Sequence, residues 1–295
     1  MNNPVTNKSM KVVRPSTLYV VATPIGNRDD ITIRALNILR EVDLIAAEDT
    51  RKTRRFLGLH AIQGTLISYH EHNEAERTPK LIAKLVKGVS VALVSNAGTP
   101  TVSDPGYRLI TSALTENLEV VPIPGVSAAT AALSAAGLAT DSYIFLGFPA
   151  KKKTQRLQQL NNLACEPRTL IFYESPKRIR MLLAEIEDIM GDRAAVLARE
   201  MTKLHEEFLR GRLSEITMRL KTRTSIKGEC TLLVAGWDRD KSLTWEVVEQ
   251  RLRSAVISRR YTLSSIAREL AAESGISKNK IYTQALKIQK ELKSE

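Results

Sequence analysis

Four segments of this sequence follow directly on short apolar runs: residues 23–27 (TPIGN), 47–51 (AEDTR), 95–106 (SNAGTPTVSDPG) and 124–133 (PGVSAATAAL). Glycine lets backbone approach a ligand closely and proline fixes a loop, so such segments build a rigid concave wall lined by peptide N–H and C=O groups. One alone would be an ordinary turn; four at successive strand ends point to a binding site. The phosphate-cradling patterns G-x-G-x-x-G and G-x-x-x-x-G-K-[ST] are both missing, which argues against a Rossmann dehydrogenase and a P-loop ATPase. His60, His70, His72 and His205 come with no cysteine pair, and His70-x-His72 lacks a third ligand, so no metal centre is expected. Without a G-x-S-x-G elbow, acyl transfer has no support.

The elements that hold these loops alternate in texture. A strand is expected over 16–22, and a helix over 30–40 with Ile31, Ala35, Leu36 and Leu39 on one stripe. Further strands are expected over 42–47 and 90–94, with a helix over 80–87 between them. This is the pattern of parallel βαβ units, whose ligands bind beyond the carboxyl ends of the strands, so the loops after Ala22, Ala47 and Val94 are the first place to look. The next block mixes its elements less regularly. It has helices over 127–136, 155–163 and 176–190 and strands over 143–147, 169–173, 194–198 and 231–235, which suggests a mixed sheet. Beyond residue 244 almost nothing reads as strand, and three helices are expected over 245–257, 263–273 and 278–292.

The expected architecture is therefore α/β, with two α/β domains, a parallel sheet first and a mixed sheet second, plus a small C-terminal helical tail. The boundaries drawn are a flexible N-terminus over 1–15, domains over 16–124 and 125–238, and a basic tail over 239–295. A length of 295 residues exceeds one usual compact core, and 43% hydrophobic with 26% charged residues excludes wholesale disorder. Cys165 and Cys230 make no disulfide framework, no signal segment opens the chain, and the longest small-apolar run, 128–139, is interrupted by Ser134 and Gly137. A reducing, cytoplasmic setting without membrane is expected. The net charge of +12 divides as +3, +4 and +5 over the three blocks, and it suggests an anionic partner, most economically a nucleic acid.

The succession TPIGN, AEDTR, HEHNE (70–74), SNAGTPTVSDPG, PGVSA, FLGFPAKKKTQR (145–156), TLIFYESPKRI (169–179) and AREMTK (198–203) resembles the 16S ribosomal RNA cytidine 2′-O-methyltransferases of the tetrapyrrole methylase superfamily. The resemblance runs in order from about residue 18 to 236. It departs where that family typically has Asp after the Ser of S-x-A-G-T-P; here the position is Asn96, which removes a possible carboxylate.

The resemblance implies two α/β domains with S-adenosylmethionine in the cleft between them, usually in a homodimer. Carried over, the cofactor-binding residues are Pro24, Gly98, Thr99, Pro100, Val102, Ser127 and Ala128. Ser127 is also expected to cap the following Ala-rich helix. The methyl acceptor would be the ribose 2′-hydroxyl of a cytidine in the decoding region, with 16S rRNA or the small ribosomal subunit as partner. Asp49, Asp104, Glu174 and Glu200 are then candidates for base or positioning group, although each carboxylate could equally cap or brace its own loop. Arg51, Lys151, Lys152, Lys153, Arg156 and Lys203 are the residues expected to meet RNA phosphates. Two alternatives stand beside this reading. One is a methyltransferase for a small, tetrapyrrole-like acceptor. The other is a non-catalytic nucleic-acid-binding protein using the helix-turn-helix-like tail, in which Thr262 opens one helix and the turn at Gly275 leads to a lysine-rich second.

Overall fold

In the computed structural model, which describes residues 13–238, 243, 245–258 and 262–294, the apolar run Thr17–Val21 forms strand β1 and is buried along its whole length. Then come α1 (Ile33–Glu41), β2 (Leu44–Ala47), α2 (Thr50–Leu59), β3 (Leu66–Ser68), α3 (Glu74–Val86), β4 (Val91–Val94), α4 (Tyr107–Thr115) and β5 (Glu119–Ile123). The five strands pair in parallel in the order β3-β2-β4-β1-β5. The first helix starts later than its apolar stripe suggests. Arg28–Asp30 close a separate 3-10 turn capped by Asn27, and Thr32 then caps α1 by accepting the Ala35 N–H.

Alternate strand residues sort to two faces. Tyr19, Val21, Ile45 and Ala47 pack with Ile38 and Leu39 of α1 and Leu57 of α2. Leu18, Leu44, Ala46 and Leu93 pack with Leu81 and Leu85 of α3 and Leu109 of α4. The connections leaving β1 and β2 thus cover one face, and those leaving β3 and β4 cover the other. The loop after β4 departs to the face opposite both of its neighbours, β2 and β1. In open parallel sheets a crevice opens at such a switch, beyond the carboxyl ends of the strands.

The described residues up to Ala128 form one unit, and those from Ala129 onward form a second. The elements after β5 are α5 (Ala128–Ser134), β6 (Tyr143–Gly147), α6 (Lys153–Asn162), β7 (Thr169–Glu174), α7 (Ile179–Met190), β8 (Ala194–Arg199), β9 (Glu207–Arg212), α8 (Leu213–Lys221) and β10 (Cys230–Val234). Their sheet runs β6-β7-β10-β8-β9 with only β6 and β7 parallel, so it is mixed as expected. Phe172, Leu197 and Leu232 of its strands pack with Leu183 and Ile186 of α7 and Ile216 of α8.

The tail contributes α9 (Trp245–Ser258), α10 (Leu263–Ser274) and α11 (Lys278–Ser294), closed around Leu252, Leu270, Ile281 and Ile288. It belongs to the second unit. Lys278 Nζ lies 2.8 Å from Asp188 Oδ1 on α7, and Trp237 Nε1 donates to the Ser274 carbonyl at 3.2 Å. Gly275 ends α10 at φ +69°, where a Cβ would fall onto the Trp237 ring, so both backbone and space demand glycine. Of the expected N-terminal segment 1–15, only 13–15 lie among the described residues, and positions 239–242 and 244 at the start of the tail also lie outside them. No described helix is long and apolar enough to cross a membrane.

Candidate active site

The strand-end loops of the first unit are tied together mainly by backbone. Thr23, just past β1, and Gly98, past β4, exchange two hydrogen bonds: Thr23 N–H donates to Gly98 O at 2.8 Å, and Gly98 N–H to Thr23 O at 2.9 Å. The Thr23 hydroxyl also donates to Ser95 O at 3.2 Å. Thr99 Oγ1 donates to Val126 O in the loop after β5 at 3.3 Å, and Glu48, after β2, accepts the Asn96 N–H at 3.0 Å. Pro24, Gly98, Thr99, Pro100, Val102 and Ser127 lie on these three loops past β1, β4 and β5, and Ala128 is the first residue of α5. Gly125 runs so close to the end of β1 that a Cβ there would sit 2.8 Å from Ala22 Cβ.

The long loop after β4 is conformationally strained. Thr101 at φ +75° and Ser103 at φ +65° occupy the left-handed region, between Gly98 at +76° and Gly106 at +136°. A β-branched residue there is costly, and such strain persists where the surrounding structure over-determines the backbone, commonly at binding sites. Asp104 is half-buried on this loop.

The other candidate carboxylates hold their own loops. Asp49 is the N-cap of α2 and accepts from Arg51 N at 2.9 Å and Lys52 N at 3.3 Å; the Arg51 amide bond holds its carboxyl below the ordinary aspartate value. Glu174 is buried, with Arg178 Nη2 2.9 Å from its Oε2. Glu200 sits at φ +52° with Lys203 Nζ 2.9 Å from Oε1, and that bond holds its carboxyl below the usual range. Lys203 is further bound to Glu229 at 2.9 Å, so its charge is already matched within the loop.

Arg156 corrects the sequence reading more firmly. Expected at an RNA-facing rim, it is 2% exposed and forms a two-pronged pair with Glu185, with Nε at 2.6 Å and Nη2 at 2.9 Å. Its Nη1 donates to the carbonyls of Ala150 and Lys151 at 2.9 and 3.0 Å, so it builds the lysine loop from beneath and offers nothing to a phosphate. Lys151, Lys152, Lys153 and Arg51 are exposed. Sequence reading missed Glu207, whose carboxylate accepts from Arg223 Nη1 at 2.7 Å and Arg199 Nη2 at 3.0 Å; chiefly through Arg223, its pKa is lowered to about 2. His70 and His72 stack edge to face at 6.0 Å, and among the described residues no group could hold a metal ion.

The model of the Tetrapyrrole (Corrin/Porphyrin) Methylases matches residues 17–217, which hold the first sheet and every strand of the second except β10. The chain belongs to that family. As a tetrapyrrole methylase, it is 42% identical to "Ribosomal RNA small subunit methyltransferase I" of Micromonospora olivasterospora over 91% of this chain and 86% of that one. It is 45% identical to the protein of the same name from Pseudomonas aeruginosa, over 92% of this chain and 98% of that one. Among solved structures, it shares its fold with cobalt precorrin-4 methyltransferase, a cobalamin biosynthetic enzyme, at TM-score 0.57 and 17% identity, covering 75% of this chain and 95% of that one. The uroporphyrin-III C-methyltransferase of Thermus thermophilus complexed with S-adenosylhomocysteine aligns at TM-score 0.54 and 18% identity, covering 74% and 97%.

The donor set of this tetrapyrrole methylase suits a sulfonium cofactor. In a chain of net charge +12, residues 22–27, 95–104 and 122–128 contain no Lys or Arg and one acid, Asp104. A positively charged sulfonium placed there would meet no Lys or Arg from these stretches, while fixed backbone and hydroxyl groups could satisfy the polar edges of an adenosine and an amino-acid tail.

Proposed function

We propose that this protein transfers the methyl of S-adenosylmethionine to the ribose 2′-hydroxyl of a cytidine in the decoding region of small-subunit (16S) rRNA. The observation that carries the reading is the set of stretches 22–27, 95–104 and 122–128, without Lys or Arg and bridged at Thr23 and Gly98, in a chain that matches small-subunit rRNA methyltransferases over nine-tenths of its length. Pro24, Gly98, Thr99, Pro100, Val102, Ser127 and Ala128 would hold the cofactor, which when bound supplies a methyl already activated on sulfur. The chain's own work is to align the ribose oxygen and to accept one proton.

Alignment dominates, because a base must be both within reach and basic enough. Asp49 and Glu200 are held ionised by their partners, which weakens them as proton acceptors. Glu174, buried against Arg178, presents no free face. Asp104, half-buried on the strained loop that also carries Gly98 to Val102, is the carboxylate on the same loop as the proposed cofactor-binding residues, and the one we put to the test. Asp104→Asn should lower kcat at least ~100-fold, the low end for lost base catalysis, with donor affinity unchanged; a parallel loss of donor binding would make it a loop-building residue instead.

The small-acceptor alternative has the family model and a shared fold at 17–18% identity behind it, whereas relatives at 42–45% identity over nine-tenths of the chain are named for small-subunit rRNA. We also infer a cytoplasmic homodimer, on the family resemblance; light scattering during gel filtration tests the dimer. The deciding experiment is mass mapping of ribose methylation in small-subunit rRNA from cells with and without the protein. One cytidine losing its methyl supports the reading, and an unchanged map overturns it.

A further inference from the structure

Within the second unit, the loop joining β6 to α6 carries an exposed aromatic side chain that the methyl-transfer chemistry does not use. Phe148 is 57% exposed, although a benzyl group gains by burial. It is not loose. Its ring meets Tyr173 of β7 edge to face, with centroids 5.7 Å apart and planes at 64°, and Tyr173 meets Phe145 in the same manner at 4.9 Å. The Tyr173 hydroxyl accepts the Ala129 N–H of α5 at 3.1 Å, which fixes the middle ring of the row.

The backbone beneath is braced by two arginines. Arg178 donates to Pro149 O at 3.0 Å, and Arg156 donates to the next two carbonyls, of Ala150 and Lys151. Each is anchored in turn by a carboxylate, Glu174 and Glu185. With three consecutive carbonyls engaged by these arginines the loop backbone is fixed, and on it the exposed Phe148 is followed by the exposed Lys151, Lys152 and Lys153.

The charge on this loop runs against local stability. Lys152 is the N-cap of α6 and Lys153 its first residue, so cations crowd the positive end of the helix, where anions are favoured. Local rules broken in this way mark places where something outside the chain compensates. An anion of the phosphodiester backbone would do so. A flat apolar face beside phosphate-seeking lysines is the composition that holds unpaired nucleotides, whose bases stack on aromatic rings while cations take the backbone.

We propose that Phe148 is a stacking platform for an unpaired base of the substrate RNA, with Lys151, Lys152 and Lys153 neutralising the adjoining phosphates and Arg156 and Arg178 acting as positioning residues for the platform. This rests on the proposed RNA substrate and adds the place and mode of its recognition. Stacking is indifferent to salt and depends on a π face, whereas the lysines act through charge.

The test compares Phe148→Ala, Phe148→Leu and Phe148→Trp with wild type in binding small ribosomal subunits from cells lacking the protein, across a salt series, alongside S-adenosylmethionine affinity. Loss of stacking should weaken subunit binding ~10-fold in the Ala and Leu variants while Trp binds as wild type, with donor affinity and salt slope unchanged. Replacing the three lysines together with Ala should instead flatten the slope by up to ~2, as expected for three single-strand phosphate contacts. Wild-type affinity in both Ala and Leu variants overturns the proposal, and so does wild-type affinity in Leu alone, which would make the requirement apolar bulk. If the wild-type protein itself shows no affinity for subunits, the RNA reading falls first and takes the platform with it.

Discussion

The strand-end loops of the first unit and the loops of the second hold their shape by opposite means. After β1, β4 and β5, positioning is done mostly by peptide groups, short hydroxyls and glycines packed against neighbouring backbone. After β6 and β8 it is done by arginine and lysine paired with carboxylates: Arg156 with Glu185, Arg178 with Glu174, Lys203 with Glu200 and Glu229, and Arg199 and Arg223 with Glu207. A backbone-built wall leaves little room for an added atom and, the Glu48 contact to the Asn96 N–H apart, responds little to pH and salt. A charge-built brace tolerates bulk at its margins but depends on protonation. The first suits a cationic small ligand, and the second, after β6, lies under the exposed Lys151, Lys152 and Lys153.

This contrast is open to direct attack. The largest effect is expected from Gly125→Val, because its Cβ would lie 2.8 Å from Ala22 Cβ and 3.6 Å from Ala22 O. Displacing the loop after β5 should reduce S-adenosylmethionine affinity by ~100-fold or more while the second unit stays folded, which calorimetry and circular dichroism check together. Unchanged affinity would mean that the wall is more pliable than its packing implies.

Next in size is Glu207→Gln, which leaves two guanidinium groups facing each other and should lower unfolding free energy by ~2 kcal/mol at neutral pH in urea titrations. The sign of the pH effect follows from proton counts. The folded carboxyl, with a pKa of about 2, binds fewer protons than its unfolded counterpart near 4.5. Its stabilisation is therefore full above ~4.5 and is lost as pH falls towards 2. The Gln variant should show a flatter stability profile across that window, and a profile parallel to wild type would remove Glu207 from the account.

The smallest effect is expected from Asn96→Asp, which restores the acid typical of the resembled family. Its side chain is exposed, and the backbone N–H, retained in the variant, donates to Glu48 Oε2. One further exposed carboxylate beside Glu48 should change stability by less than ~1 kcal/mol and leave donor affinity within about threefold. A gain in turnover well beyond that would make position 96 part of the chemistry.

Legibility in the sequence followed the same division. Strands β1 and β4 were readable because they are buried on both faces and run as unbroken apolar stretches. Strand β9 (EFLRGR) was not, since it lies at a sheet edge with only Leu209 buried and charged residues on its exposed positions. Helix α2 was missed because it begins inside AEDTR, where Asp49 caps it, and its polar sequence leaves only Thr53 and Leu57 buried. The neutral loops were visible as a pattern of residue types. The duties of Arg156, Glu174 and Lys203 were not, because each depends on partners that only the fold supplies; Glu185, for one, stands 29 positions from Arg156.

The reciprocal hydrogen bonds between Thr23 and Gly98 carry a consequence for timing. Two loops from adjacent strands, linked in both directions by peptide groups, acquire their mutual spacing when the sheet forms. Any ligand arriving there meets a wall whose ordering entropy was settled during folding. Association at this edge should therefore be limited by encounter and desolvation, with no slow phase from loop closure between β1 and β4.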